Sequence, residues 1–238
     1  SGNWNSAQTV TVTGVNDSLI DGSQTTTITI AVVDAISDDD FDSLADKTVS
    51  VTTTDNDTAS FTVTQSGGST AVSESGSTDT FTVVLGAQPA SNVVISVTSG
   101  DTGEATVSPA TLTFTSGNWN SAQTVTVTGI NDDLVDGTQT STITMSVVDA
   151  SSDNNFDSLN DQTVSVTTAD TDVAGFTKIE SGGSTTVAES GTTDTFTVVL
   201  DAQPASNVVI SVTSGDTGEA TVSPATLTFT SGNWNSAQ

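Results

Sequence analysis

Residues 77–85 read STDTFTVVL. Phe81, Val83 and Leu85 fall on one side of an extended chain, with Thr80 and Thr82 on the other. Successive side chains of a strand point to opposite faces, so this alternation describes a strand with one face in a core and one in water. The same period runs outward in both directions. ASFTVTQ (59–65) adds Phe61 and Val63, and NVVISVT (92–98) turns Val93, Ile95 and Val97 inward. Further on come Leu112 and Phe114, Val125 and Val127, Ile143, Met145 and Val147, and Val164 and Val166. Outward Thr and Ser suit half-buried antiparallel strands, and clusters of Gly, Asn, Asp and Pro separate the runs. No stretch carries a helical period of useful length. The pattern predicts an all-β fold of about seven strands per unit, arranged as an immunoglobulin-like β-sandwich.

The units repeat. The octapeptide SGNWNSAQ begins at Ser1, Ser116 and Ser231, which sets a period of 115 residues, and residues 87–123 are identical to 202–238. A period of this size holds its own core, so the array reads as beads on a string and not as thin solenoid coils. TTTDNDTASF and TTADTDVAGF each separate a closing strand from a new Phe-led one, placing boundaries near Thr58 and Val173. Residues 1–57 then hold the last strands of one repeat, 58–172 a complete repeat, and 173–238 the first strands of the next. Two readings of the partial repeats stand: they complete one another between neighbouring chains, or their missing parts belong to a longer polypeptide. Trp4, Trp119 and Trp234 are expected to plug one end of each sandwich; stacking on a sugar is the alternative.

The chain carries 29 Asp plus Glu against Lys47 and Lys178 alone, for a formal charge of −27, with no His, Cys, Tyr or Arg. Such a surface repels nucleic acid and anionic membranes and attracts cations. No apolar run approaches the roughly 18 residues of a membrane span. Proton chemistry could fall only to carboxylates and two lysines. Those acids recur from copy to copy, which catalytic machinery rarely does, so no enzyme is expected. Asn16 and Asn56 stand in Asn-x-Ser/Thr sequons, and glycosylation is open.

Following strand direction through the complete repeat assigns each loop to a pole. The segment holding Glu74, the loop with Asp101 and Glu104, the loop with Asp132, Asp133 and Asp136, and the tail with Asp170 and Asp172 all fall at one end. Carboxylates in that number repel one another unless a cation joins them, and hard oxygen ligands suit Ca2+, which takes six to eight. The absence of His and Cys speaks against zinc or copper. Acids as ordinary turn residues are the competing reading. The partial repeats hold the corresponding Asp17, Asp21, Asp55 and Asp57, and Glu189, Asp216 and Glu219. A second acidic loop, with Asp38 and Asp42 in the first copy and Asp153 and Asp157 in the second, falls at the opposite pole. It should face the preceding repeat. Asp153 or Asp157 is expected near Asp55 and Asp57, where Ca2+ would clamp a short linker that is otherwise hinged; a solvated loop is the alternative.

TAVSESGSTDTFTVVL, ATVSPATLTFTSGNWNSAQTVTVTGINDDLVDG and TVSVTTADTD together resemble a Calx-beta domain, of the kind found in tandem in large bacterial surface adhesins and extracellular repeat proteins. The resemblance spans the whole period. It implies Ca2+ at the pole beside the domain junction, held by Glu74, Asp101, Asp132, Asp133, Asp136, Asp170 and Asp172. Asp136 stands where many relatives have Glu, and Ser18 replaces Asp133 in the first copy. The implied role is a secreted or cell-surface extender, a non-enzymatic stalk made rigid by Ca2+ at its junctions. Its partners would be neighbouring repeats or identical chains, with any surface or glycan ligand bound through other parts of a parent protein. A self-assembling matrix filament and a Ca2+-dependent carbohydrate-binding module are the alternatives.

Overall fold

The computed structural model describes residues 2–238. The first partial repeat contributes β1 (Gln24–Ile30) and β2 (Lys47–Thr53). The complete repeat contributes β3 (Phe61–Gln65), β4 (Thr70–Ser73), β5 (Thr78–Leu85), β6 (Val93–Ser99) and β7 (Ala105–Ser108). It continues with β8 (Thr111–Phe114), β9 (Gln123–Gly129), β10 (Gln139–Val147) and β11 (Gln162–Ala169). The last partial repeat holds β12 (Phe176–Glu180), β13 (Phe196–Leu200), β14 (Val208–Ser211) and β15 (Thr226–Phe229).

The middle repeat is a two-sheet sandwich, ordered β4-β11-β10-β6-β8 and β3-β5-β9-β7. All its pairs are antiparallel except β4 with β11. The inward residues named above fill the space between the sheets. Phe81, Val83, Ile95, Val97, Leu112, Phe114, Val125, Val127, Ile143 and Met145 are all fully buried. Each large apolar side chain removed from water in this way contributes about 1.5–3 kcal/mol.

The complete repeat has nine strands where the alternation suggested about seven, because two runs switch sheets. The run 105–115 divides at Pro109, with β7 pairing β9 and β8 pairing β6. Proline has no N–H to continue a ladder. The leading strand divides likewise: β3 pairs β5, the chain turns through Gly67 and Gly68 at φ 63° and 84°, and β4 joins the other sheet. Only glycine takes up such angles without cost. In both cases the two halves run in the same direction, so the assignment of loops to poles survives the split.

The copies diverge in a coupled way. A Cβ on Gly86 would lie 2.0 Å from Ser60 Oγ, and one on Gly175 would lie 2.4 Å from Asp201 Oδ2. One repeat therefore carries the Ser60–Gly86 pair and the next carries Gly175–Asp201, each with room for a single side chain.

Trp119 and Trp234 pack against the cores of their repeats, as expected of end plugs. Trp4 differs: it is 86% exposed. The second partial repeat keeps a small core of Val198, Leu200, Leu227 and Phe229. Among the described residues, the first has no buried apolar side chain of its own. No helix of the described residues is long and apolar enough to cross a membrane.

The junctions are more than linkers. Gln88 N–H donates to Ser18 O at 2.7 Å, Ile20 N–H donates to Gln88 O at 3.2 Å, and Ile20 packs into the middle core. At the next junction Gln203 N–H donates to Asp133 O at 2.7 Å and Val135 N–H to Gln203 O at 3.1 Å. Backbone groups make these bonds, so exchanging Ser18 for Asp133 leaves them intact. A parallel bridge joins successive repeats at each junction, Leu19 with Gln88 and Leu134 with Gln203, and Ile20 adds an apolar contact at the first.

Candidate metal centre

Glu74 follows the end of β4, where Glu74 N–H donates to Ala169 O and Thr171 N–H donates to Glu74 Oε2 at 2.9 Å. The parallel pairing of β4 with β11 thereby sets the glutamate against the Asp170–Asp172 tail. Glu74 is only 1% exposed. Carboxylate oxygens of Glu74, Asp132 and Asp172 all lie within 4.8 Å of one another.

Around this triad Asp170 acts as a scaffold. Its Oδ2 accepts from Asp136 N–H at 3.1 Å and Gly137 N–H at 2.7 Å, and its Oδ1 accepts from Asp172 N–H at 2.7 Å. Those bonds, led by the Gly137 N–H, hold its pKa below the ordinary carboxylate value. Asp132 Oδ1 accepts from Leu134 N–H, and Asp101 Oδ1 from Gly103 N–H, so both also shape their turns.

Three acids of this pole are raised. Burial lifts Glu74, and the charges of Asp170, Asp132 and Asp172 add to it against the opposing Thr171 N–H. Burial lifts Glu104 too, followed by Asp136, Asp132, Asp101 and Glu74. Asp172 is lifted by burial and then by Asp170, Asp133 and Asp132. All eight acids assigned to this pole therefore act on one another. Glu104 Oε2 and Asp172 Oδ2 are buried with no hydrogen-bond partner. Unpartnered carboxylate oxygens beside a buried glutamate, with no cation in the repeat, form a donor set that fits a hard divalent ion and no soft one.

Half of this arrangement stands in each partial repeat. Asp55 accepts from Asp21, Gly22 and Asp57 N–H as Asp170 does in the middle repeat, and its pKa is lowered chiefly by the Asp57 and Gly22 N–H groups. Asp17 Oδ1 accepts from Leu19 N–H. Glu189, Asp216 and Glu219 are exposed, with Asp216 shaping its turn through Gly218 N–H.

At the opposite pole Asp153 is taken up by backbone donors of its own repeat. Its Oδ2 accepts from Ala90 N–H at 2.7 Å and Ser91 N–H at 3.0 Å, and its Oδ1 from Asn155 N–H at 3.0 Å. Burial pushes this carboxyl up, but the Asn155, Ser91 and Ala90 N–H groups outweigh it and lower the pKa. Asp153 thus fixes the loop that receives the preceding repeat. Asp153→Ala should cost about 1–3 kcal/mol by stranding these donors, read from urea unfolding, and should leave any Ca2+ response unchanged. Asp38 Oδ1 likewise accepts locally, from Asp40 N–H. Asp157 Oδ1 and its counterpart Asp42 Oδ1 are buried and unpartnered. The same loop touches the junction through Asn155, whose Nδ2 donates to Ile20 O at 3.2 Å.

No protein-family model matches the chain, and a search of curated proteins finds no match. Among solved structures it is similar to SSP-19, an MSP-domain-like protein of Caenorhabditis elegans, at 16% identity and a TM-score of 0.31, over 45% of this chain and 98% of that one. Domains 4 and 5 of the S-layer protein SbsC match at 24% identity and a TM-score of 0.32, over 52% of each chain. This chain thus spans about half the length of that fragment. The E. coli chaperone DraB matches at 10% identity and a TM-score of 0.35, over 64% of this chain and 90% of that one.

Proposed function

We propose that this chain is a run of Ca2+-stabilised structural repeats from an extracellular stalk or filament, with no enzymatic role. The observation that carries the reading is the carboxylate cluster of buried Glu74 with half-buried Asp132 and Asp172 at the pole beside the next repeat. A cation there would neutralise the raised carboxyls and tie β4, the 130–137 loop and the Asp170–Asp172 tail into one unit. The tail leads directly into the following repeat, and Asp133 O and Val135 N–H of the same loop bond Gln203. A bound ion would stiffen the segment that already bridges the two bodies. The resemblance to Calx-beta domains points the same way, and near-identical copies suit a part whose task is length. Extracellular modules of this kind bind Ca2+ at about 10⁻⁴–10⁻³ M.

Thermal unfolding at fixed ionic strength tests this. Saturation at 10–100 times Kd adds about 1.4–2.7 kcal/mol, or a rise of roughly 6–11 °C for a domain near this size. Ca2+ should give that rise and Mg2+ should not. A shift that any salt reproduces would leave the acids as surface charge and sink the reading.

A further inference from the structure

The parallel pair of the middle repeat joins the start of that repeat to its end. β4 belongs to the leading segment and β11 is the closing strand. Strands that pair in parallel leave the chain at opposite poles. The chain enters through Thr58 and β3 at one pole, and the Asp170–Asp172 tail leaves from the other. An antiparallel pair in this place would bring both to the same pole.

Tension along the chain therefore acts along these strands and not across them. Thr70 stands in register with Val166, Ala71 with Thr167, Val72 with Thr168 and Ser73 with Ala169. Glu74 N–H adds a bond to Ala169 O at 3.1 Å. Parallel ladders space their bonds evenly. Sliding β4 against β11 loads those bonds together, whereas pulling across a ladder opens it one pair at a time. β3 meets tension in the same way, since it lies along the same axis and pairs β5 from Phe61 to Gln65. The turn through Gly67 and Gly68 divides the leading segment between the sheets, so tension has to shear a ladder on each. Phe61 and Val72, each 5% exposed, anchor the two halves in one core.

We propose that the middle repeat is a tension-bearing module whose mechanical clamp is the β4–β11 pair, with the β3–β5 pair ahead of it. The clamp itself needs no ion and involves only strands of the complete repeat. A second part rests on the reading of the acidic pole given above. Glu74 directly follows β4, Asp172 closes the tail of β11, and Thr171 N–H already donates to Glu74 Oε2 at 2.9 Å. A cation held by both carboxylates would fasten the two clamped strands where the load leaves the repeat.

Single-molecule pulling on the full chain tests this. The chain has no cysteine, so paired substitutions give defined points of attachment. Thr58→Cys with Ala174→Cys pulls along β3, β4 and β11 and leaves both partial repeats outside the loaded path. Ser91→Cys with Ser116→Cys pulls β6 and β8 apart from their open end, beside Val93 and Phe114. All four positions are exposed. Forced unfolding reports the barrier to leaving the native state, so one protein pulled in two directions isolates the geometry. In EDTA the first pair should hold to several times the force of the second at the same pulling rate. It should then give way in a step that releases roughly 350 Å of chain. Equal forces in the two directions, or a weaker first pair, would overturn the clamp. Repeating both in Ca2+ tests the second part. A further rise along Thr58–Ala174, with no change along Ser91–Ser116, supports the fastened strands. Equal forces in EDTA and Ca2+ remove that part and leave the clamp standing. Whether the cation reading itself fails is read separately, from the Ca2+ dependence of melting.

Discussion

Replacing Phe156 by Ala should lower the stability of the middle sandwich by about 3–5 kcal/mol, while Phe41→Ala should shift it by less than about 0.5 kcal/mol. The two residues hold the same place in successive copies, and chemical denaturation of the two variants provides the comparison. Phe156 is fully buried and belongs to the main core, whereas Phe41 is 55% exposed. The loop around Phe156 is held at both sides: Phe156 N–H donates to Asp153 O, and Leu159 N–H to Phe156 O. Truncation therefore leaves a cavity that the loop cannot easily close, because Asp153 anchors it to Ala90 and Ser91. Equal, small effects at both positions would mean that the loop is not part of the core.

Phe156 also shows where reading the chain alone stops. Strand alternation identified the inward residues of β5, β6, β9 and β10 because a period of two is imposed by the pleat itself. It could not show that the runs at Pro109 and at Gly67–Gly68 change sheets, since a residue buried on either sheet looks the same to a periodic pattern. The acidic pole was legible because strand direction alternates, which brings Glu74, Glu104, Asp132 and Asp172 together whatever their distance in sequence. The inward side of the opposite loop was hidden for a related reason. SDNNFDSLNDQ has the composition of a solvated turn, and nothing local shows that Phe156 points inward or that Asp153 is spent on backbone N–H groups. The pairing of Ser18 and Ile20 with Gln88 left no side-chain signal, because backbone groups make those bonds. Only the isolated apolar residues after the acids, Leu19–Ile20 and Leu134–Val135, hint at it.

Glu74→Gln should weaken Ca2+ binding by at least about 100-fold, since even groups that merely support a ligand cost 10–100-fold when lost. It should also stabilise the metal-free chain. The two effects have opposite signs and a common cause. Burial first, and then the charges of Asp170, Asp132 and Asp172, raise the Glu74 carboxyl above its ordinary 4.5. A carboxyl raised in this way binds its proton more tightly in the folded chain than in the unfolded one. It therefore opposes folding at neutral pH, and that opposition fades as pH falls through the folded pKa. Glu104 and Asp172 behave alike. Asp55, Asp79, Asp153, Asp170 and Asp194 are lowered, so the stability they add is complete above 3.8 and is lost as pH falls through their depressed values. Metal-free protein should thus gain stability on mild acidification from neutrality and lose it in stronger acid. With Ca2+ bound, protons compete with the ion, and the mild-acid gain should turn into a loss. Glu74→Gln should flatten both limbs of that contrast, measured as melting temperature against pH in EDTA and in Ca2+. A variant that melts below the wild type in EDTA, yet keeps its Ca2+ response, would show that Glu74 serves the packing of β4 and holds no ion.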